Sequence, residues 1–295
     1  MAVEESIQLL KSYPPYLRWI VHRCNPYRAA IKDQWGRARN IIKKSINEKK
    51  ATGLPLEDPA TMLDHLTSGK NAALIDDLDT QLTHQMTLTA VGSVTTFAST
   101  MQCLYDLAAQ PEMVQILRDE IIAVKGSTSG PMFDKESIQQ LRKMDSFMKE
   151  SQRLSSPDLT TFQRAATADI TLPDGTFLPK GTKLETATCA IHADDDNYEN
   201  ANQFDGLRFY RLREMDGEEN KHMFVSVGTK DLAFGIGRHA CPGRFLSGIV
   251  IKLILSEFLL NYHIRLPDGA KRPANREYEI SVMPDPDAEI MIKRI

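Results

Sequence analysis

Cysteine is scarce and scattered in this chain. The four thiols among 295 residues, Cys24, Cys103, Cys189 and Cys241, lie far apart and show no CxxC spacing. That pattern excludes a disulfide framework and fits a reducing compartment. Charge of one sign is also lacking: the formal net charge is -3 and the pI is near 6.2, so no overall attraction to nucleic acid is expected. Nor is there a long uninterrupted apolar run. The most apolar stretch, residues 245–260, is broken by Lys252 and Glu257 and reads as a core helix. The acidic start, Met1-Ala2-Val3-Glu4-Glu5, has neither an apolar anchor nor a signal peptide, so the chain taken alone reads as soluble and cytoplasmic. Internal repeats and low-complexity tracts are missing too. What remains, 42% hydrophobic and 25% charged residues, is enough apolar material for one large globular domain or two small ones.

The stretch that organises the chain is Phe234-Gly235-Ile236-Gly237-Arg238-His239-Ala240-Cys241-Pro242-Gly243-Arg244. Its glycines permit backbone angles that side chains forbid, and its cysteine leads into an apolar helical segment for which Pro242 suits the first position. Backbone N–H groups and the dipole at a helix entrance favour a thiolate, the form of sulfur that binds metal or attacks electrophiles. Zinc needs about four ligands, and His239 is the only close candidate here. A lone thiolate can instead serve as an axial haem ligand. A buried structural cysteine beside a glycine turn is the plainer alternative.

Phe234, Gly237, His239, Cys241 and Gly243 match the F-x-x-G-x-[RH]-x-C-x-G loop of cytochrome P450, and the stretch resembles the form common among filamentous-fungal members. The resemblance implies that Cys241 is the metal ligand of haem b iron. It also implies that Phe234, Gly235, Gly237 and Gly243 bind the haem as part of the loop, residues 234–244, and that His239 binds a haem propionate.

Residues 7–50 read as helices broken at Pro14-Pro15 and Asn25-Pro26. Their basic end, with Arg37, Arg39, Lys43, Lys44, Lys49 and Lys50, admits a solvated helix face or a role at phosphate or membrane. Residues 51–59 read as a linker. Residues 76–110 hold helical composition without proline until Pro111, which predicts one long helix crossing the domain. Within it, Gly92 stands beside Ser93, Thr95 and Thr96, hydroxyls that can bond back to preceding carbonyls and open the helix locally. Such threonines are either structural or catalytic. This segment is similar to the oxygen-activating helix of the family, [AG]-G-x-[DE]-T-[TS], through Gly92, Thr95 and Thr96, which makes Thr95 and Thr96 the catalytic candidates. Val94 stands where the family has an acid, so proton delivery here has to use Thr95 with water, Ser93 or Thr96, or another route.

Residues 111–125 read as a helix, 126–130 as a Gly- and Ser-rich loop, and 143–154 as a helix carrying Glu150 and Arg153 three positions apart on one face. In the resembled family such an ExxR pair joins a later arginine, here Arg208 in Phe204-Asp205-Gly206-Leu207-Arg208-Phe209, to lock the core beneath the haem. Residues 161–188 alternate around two turns and predict a small antiparallel sheet. Within it Arg164 is either a solvated strand residue or, by the resemblance, a propionate ligand. The helix after the cysteine is expected to pack against the long central helix, and the alternating tail to complete the minor sheet.

The resemblance spans essentially the whole chain, residues 1–295, as a single incomplete P450 domain matching roughly the C-terminal three-fifths of a typical member. It implies a mainly α fold with small antiparallel β-sheets, built on the long central helix and the haem-cysteine loop. The implied activity is insertion of one oxygen atom from O2 into a hydrophobic, terpenoid-like secondary metabolite, with electrons from NADPH through cytochrome P450 reductase. That partner is expected to dock near Lys230, Arg238 and Arg244, or else these residues bind propionates or carbonyls. The family implies the cytosolic face of the endoplasmic reticulum membrane, although this chain carries no membrane anchor. The other reading is a non-catalytic remnant of the fold that cannot hold haem alone.

Overall fold

The computed structural model describes residues 2–52, 61–127 and 133–295 and is mainly helical, with small antiparallel strand pairs. It divides into two compact units, Met1–Val91 and Gly92–Ile295. The predicted linker at 51–59 and loop at 126–130 lie largely outside the described residues. Among the described residues no helix is long and apolar enough to cross a membrane.

The first unit contains α1 (Ala2–Lys11), α2 (Arg18–Cys24), α3 (Arg28–Thr52), α4 (Met62–Leu66) and the start of α5 (Leu78–Ala109). The breaks fall where sequence placed them. Pro14 holds an extended backbone before a single 3₁₀ turn, and the buried Asn25 turns the chain by accepting from the Tyr27 N–H at 2.9 Å. Helix α4 opens on a reciprocal cap: Asp64 N–H donates to the Thr61 hydroxyl at 3.2 Å, and Thr61 N–H donates to the Asp64 carboxylate at 2.7 Å. Ile46, Leu63 and Ile75 form this unit's small core. Several cations of the basic cluster are paired: Arg37 with Asp33, Arg39 with Asp79, Lys44 with Glu48 and Lys50 with Asp76.

The second unit is built on the C-terminal half of α5, α6 (Pro111–Ser127), α7 (Lys135–Gln140), α8 (Arg142–Leu154) and α11 (Arg244–Asn261). Met113, Leu117 and Ile121 of α6 recur every fourth residue, as do Ile251, Leu255 and Leu259 of α11, so each helix buries one face. Met144, Phe147 and Met148 of α8 close the same core, together with Leu104 and Leu107 of α5. The expected packing of α11 onto the central helix holds only through this shared core, because its close helical neighbours are α6, α7 and α8. The first N–H groups of α8 are capped from a distance, since the Glu120 carboxylate accepts from Lys143 at 2.6 Å and Met144 at 2.9 Å.

The expected local opening in α5 is absent: the helix runs unbroken through residues 92–96, and the Thr100 hydroxyl bonds the Thr96 carbonyl at 2.7 Å without interrupting it. A threonine can make that bond within regular helix geometry.

The strands pair locally. β1 (Thr161–Ala165) lies against β4 (Lys183–Thr186), and β2 (Ile170–Thr171) against β3 (Phe177–Leu178). In the tail β5 (Tyr262–Arg265) pairs with β8 (Met291–Arg294), and β6 (Arg276–Tyr278) with β7 (Ser281–Met283). The tail therefore forms pairs of its own instead of extending one minor sheet. It does touch the segment after α8, where Leu159 N–H donates to Ile280 O at 2.7 Å and Val282 N–H to Pro157 O at 2.8 Å.

Candidate functional site

The cysteine loop leaves the core at Phe234, whose ring stands edge-on to Phe224 at 5.3 Å. Gly235 and Gly237 then take φ values of 71° and 69°, left-handed conformations that strain any residue with a Cβ. These two turns fold the chain back so that Cys241 N–H donates to Phe234 O at 2.8 Å, closing the loop. A short 3₁₀ turn, Gly237–His239, carries His239 at the exposed rim. Helix α11 begins at Arg244 with Gly243 as its N-cap, so Pro242 lies before the helix and not at its first position.

Arg244 secures the other side of the loop, donating to Cys241 O at 2.6 Å and to Val225 O at 3.1 Å. Those carbonyl bonds remove Arg244 from the expected docking set, while Lys230 and Arg238 are exposed. The Cys241 thiol is free and half-buried, and among the described residues its sulfur has no hydrogen-bond partner. A Cβ on Gly243 would sit 3.9 Å from that sulfur, so glycine keeps this flank of the thiol uncovered. Among the described residues no group of three or more His, Cys, Asp or Glu side chains could hold a metal ion. The arrangement offers one sulfur ligand on a stiff backbone turn.

Helix α8 carries the charged cluster. Glu150 is fully buried and accepts from Arg153 at 2.8 and 2.9 Å, from Arg208 at 3.2 Å, and from the Asp205 N–H at 3.0 Å. Arg153 spends its remaining N–H groups on the carbonyls of His192, Ala201 and Gln203, and Arg208 on those of Glu199, Asn200 and Gln203. Helix α10 (Arg208–Leu212) and the irregular segment before it are thus gathered onto α8. Removing one partner would strand a buried charge. The family resemblance indicated the three charged residues but not the backbone carbonyls they organise, because carbonyls leave no mark in residue type.

The structure unites Glu150, Arg153 and Arg208, and it unites Phe234, Gly235, Gly237, His239, Cys241 and Gly243. Thr95, Thr96 and Arg164 lie on other elements. Thr95 is exposed and Thr96 half-buried in mid-α5, beside Val94 at 52% exposure and Phe97 at 60%. Arg164 pairs with Leu184 across β1 and β4, donates to Gln163 O at 2.8 Å, and lies 4.9 Å over the Phe162 ring. Phe162 itself has φ 57°, an outlier for an aromatic residue, where the strand register breaks between Thr161 and Arg164. Sequence reasoning passed over Lys149, His192 and Tyr198, which bind the segment leading into the cysteine loop. Their spacing to Cys241 is too long and irregular to form a motif.

Comparison with known proteins agrees with this geometry. The cytochrome P450 family profile matches residues 1–292. A cytochrome P450 monooxygenase of Emericella nidulans is 35% identical over 294 residues, covering 98% of this chain and 54% of that protein. One from Botryotinia fuckeliana is 36% identical over 283 residues, covering 95% of this chain and 56% of that protein. The chain therefore spans just over half the length of these curated relatives. Among solved structures, a cytochrome P450 crystal structure superposes with a TM-score of 0.72 at 19% identity, covering 98% of this chain and 61% of the other. A zebra fish cytochrome P450 superposes with a TM-score of 0.65 at 17% identity. A glycine-turned cysteine loop, a buried Glu–Arg–Arg cluster and a matched profile along almost the whole chain lead to one conclusion: the chain belongs to the cytochrome P450 family.

Proposed function

We propose that this chain is part of a single P450 domain and carries the thiolate side of a haem monooxygenase, which inserts one oxygen atom of O2 into a hydrophobic, terpenoid-like small molecule. The observation that carries the reading is the Cys241 loop, with a free, half-buried thiol on a turn that only glycines at 235 and 237 allow without strain. Exposed apolar residues of the same unit, Phe162 and Phe245 among them, suit an apolar macrocycle and substrate. When bound, haem held by the Cys241 thiolate would supply oxygen activation, with the sulfur's electron density favouring O–O cleavage.

The chain's own groups divide the remaining work. Cys241 is the sulfur ligand, and Phe234 and the loop glycines keep it in place. His239 and Arg164 hold propionates. Glu150, Arg153 and Arg208 support the loop without touching the reaction. The hydroxyls of Thr95 and Thr96 hold protons on α5, where Val94 offers none. Electrons come from NADPH through cytochrome P450 reductase, docking by Lys230 and Arg238, at the cytosolic face of the endoplasmic reticulum.

The second reading, a remnant that cannot hold haem alone, is favoured by the exposure of Val91, Val94 and Phe97 along α5. One experiment separates the two. The chain is supplied with haem, reductase, NADPH and ¹⁸O2 and screened against terpenoids. Product carrying a single ¹⁸O atom is expected. Haem uptake with oxygen consumed but no labelled product from any substrate would contradict the monooxygenase reading, and failure to take up haem would establish the remnant.

A further inference from the structure

Residues 230–232, immediately ahead of the cysteine loop, are held one after another by three side chains from elsewhere. The Tyr198 hydroxyl donates to Lys230 O at 2.6 Å. The buried Lys149 ammonium pairs with the Asp231 carboxylate and also donates to Met223 O at 2.9 Å. Leu232 N–H donates to Nε2 of His192 at 3.3 Å. The other ring nitrogen of His192, Nδ1, lies 3.2 Å from Arg153 O at the end of α8.

The two partners of His192 settle its proton. An amide N–H can only donate, so Nε2 must be bare; a carbonyl can only accept, so Nδ1 must carry the hydrogen. His192 is thus a neutral bridge between the Glu150 cluster and the entrance of the cysteine loop, at 2% exposure. The groups around it oppose a second proton. From α8 it meets the charges of Arg153 and Lys149, and from the segment after α9 (Thr188–His192) the edge of the Tyr198 ring at 6.3 Å. Asp231 is already engaged by Lys149. Burial, then the two cations, push the His192 pKa down to about 4.

We propose that Lys149, Tyr198 and His192 form a clamp on residues 230–232 that positions the Cys241 loop, with His192 acting as the positioning residue in its neutral Nδ1–H form. Leu232 is also the acceptor for the Gly235 N–H at 2.7 Å, so fixing Leu232 fixes the first turn of the loop. The relevance of the clamp to an iron ligand rests on the functional reading above, but the clamp is measurable without haem.

The test compares His192→Phe, which keeps a ring of similar size without its polar atoms, with His192→Gln, whose amide offers both N–H donors and a carbonyl acceptor and does not titrate. Peptide-resolved hydrogen exchange at Leu232 and alkylation of Cys241 are followed in the intact chain. In His192→Phe both should rise about tenfold, the loss of one buried hydrogen bond, while His192→Gln stays near wild type. Corrected for intrinsic rates, protection at Leu232 should fall in the wild type below pH 6.5 and stay flat in His192→Gln. Phe and Gln variants that behave alike would overturn the proposal. Should His192→Phe fail to fold, Tyr198→Phe removes only the Lys230 contact and should loosen residues 230–241 several-fold; no change there would equally overturn it. Because these readouts need no haem, a chain that shows the clamp and takes up no haem contradicts only the functional reading.

Discussion

Residues 230–244 and residues 92–97 lie in one unit and carry the two halves of the proposed chemistry, yet they are held very differently. The first segment accepts hydrogen bonds from α8 and Tyr198, donates one to His192 at the end of α9, and makes others within its own glycine-directed turns. The second is a stretch of regular helix with Val94 and Phe97 more than half exposed, and nothing stands within 4 Å of a Cβ built on Gly92. A sulfur whose loop is tied down by several hydrogen bonds is placed before anything binds to it. Thr95 and Thr96 stand on a helix beside exposed apolar side chains, so their chemistry depends more on what lies against them. Substitutions should therefore damage stability near the loop and function near α5.

The largest effect is expected where the loop's support is cut. Glu150→Ala leaves Arg153 and Arg208 buried without their carboxylate and should cost about 3–5 kcal/mol, read by denaturant unfolding. Normal stability would break the comparison. Next comes pH. His192 has a native pKa of about 4 against an ordinary 6.5, so the unfolded chain binds the extra proton first. Its contribution is complete above pH 6.5 and is lost as pH falls toward 4, on the order of 3 kcal/mol in full. The corresponding slope in stability should vanish in His192→Gln.

How much of this was legible from the sequence follows the same division. Cys241 and its glycines could be read because backbone geometry restricts residue type there: φ near 70° at 235 and 237 nearly demands glycine. Glu150, Arg153 and Arg208 were legible only through the family resemblance, because a Glu and an Arg three positions apart are common on helices. The helix breaks at Pro14 and Asn25 were equally plain. The clamp was not, because His192, Tyr198 and Lys149 act on backbone atoms of residues 230–232, and a backbone atom imposes no residue type. Nor could hydroxyl content predict the state of α5. Threonines that bond a preceding carbonyl can bend a helix or leave it straight, and here Thr100 does so in an unbroken helix.

Two smaller effects sharpen the comparison. Gly235→Ala forces a Cβ into a left-handed conformation and should cost about 1–2 kcal/mol, with Cys241 alkylation rising in parallel; no loss would show that the turn can relax. Thr95→Ala, on the exposed face of α5, should change stability by no more than about 0.5 kcal/mol while uncoupling oxygen consumption from product. A large stability loss, or full coupling, would remove Thr95 from the proposed role.

The most direct test of the central claim, that this chain builds a thiolate cradle for haem at Cys241, is the reduced carbon monoxide difference spectrum of the purified chain supplied with haem, beside Cys241→Ala. The account predicts a strongly red-shifted Soret band in the wild type that disappears in the variant. The same spectrum from both proteins would contradict it.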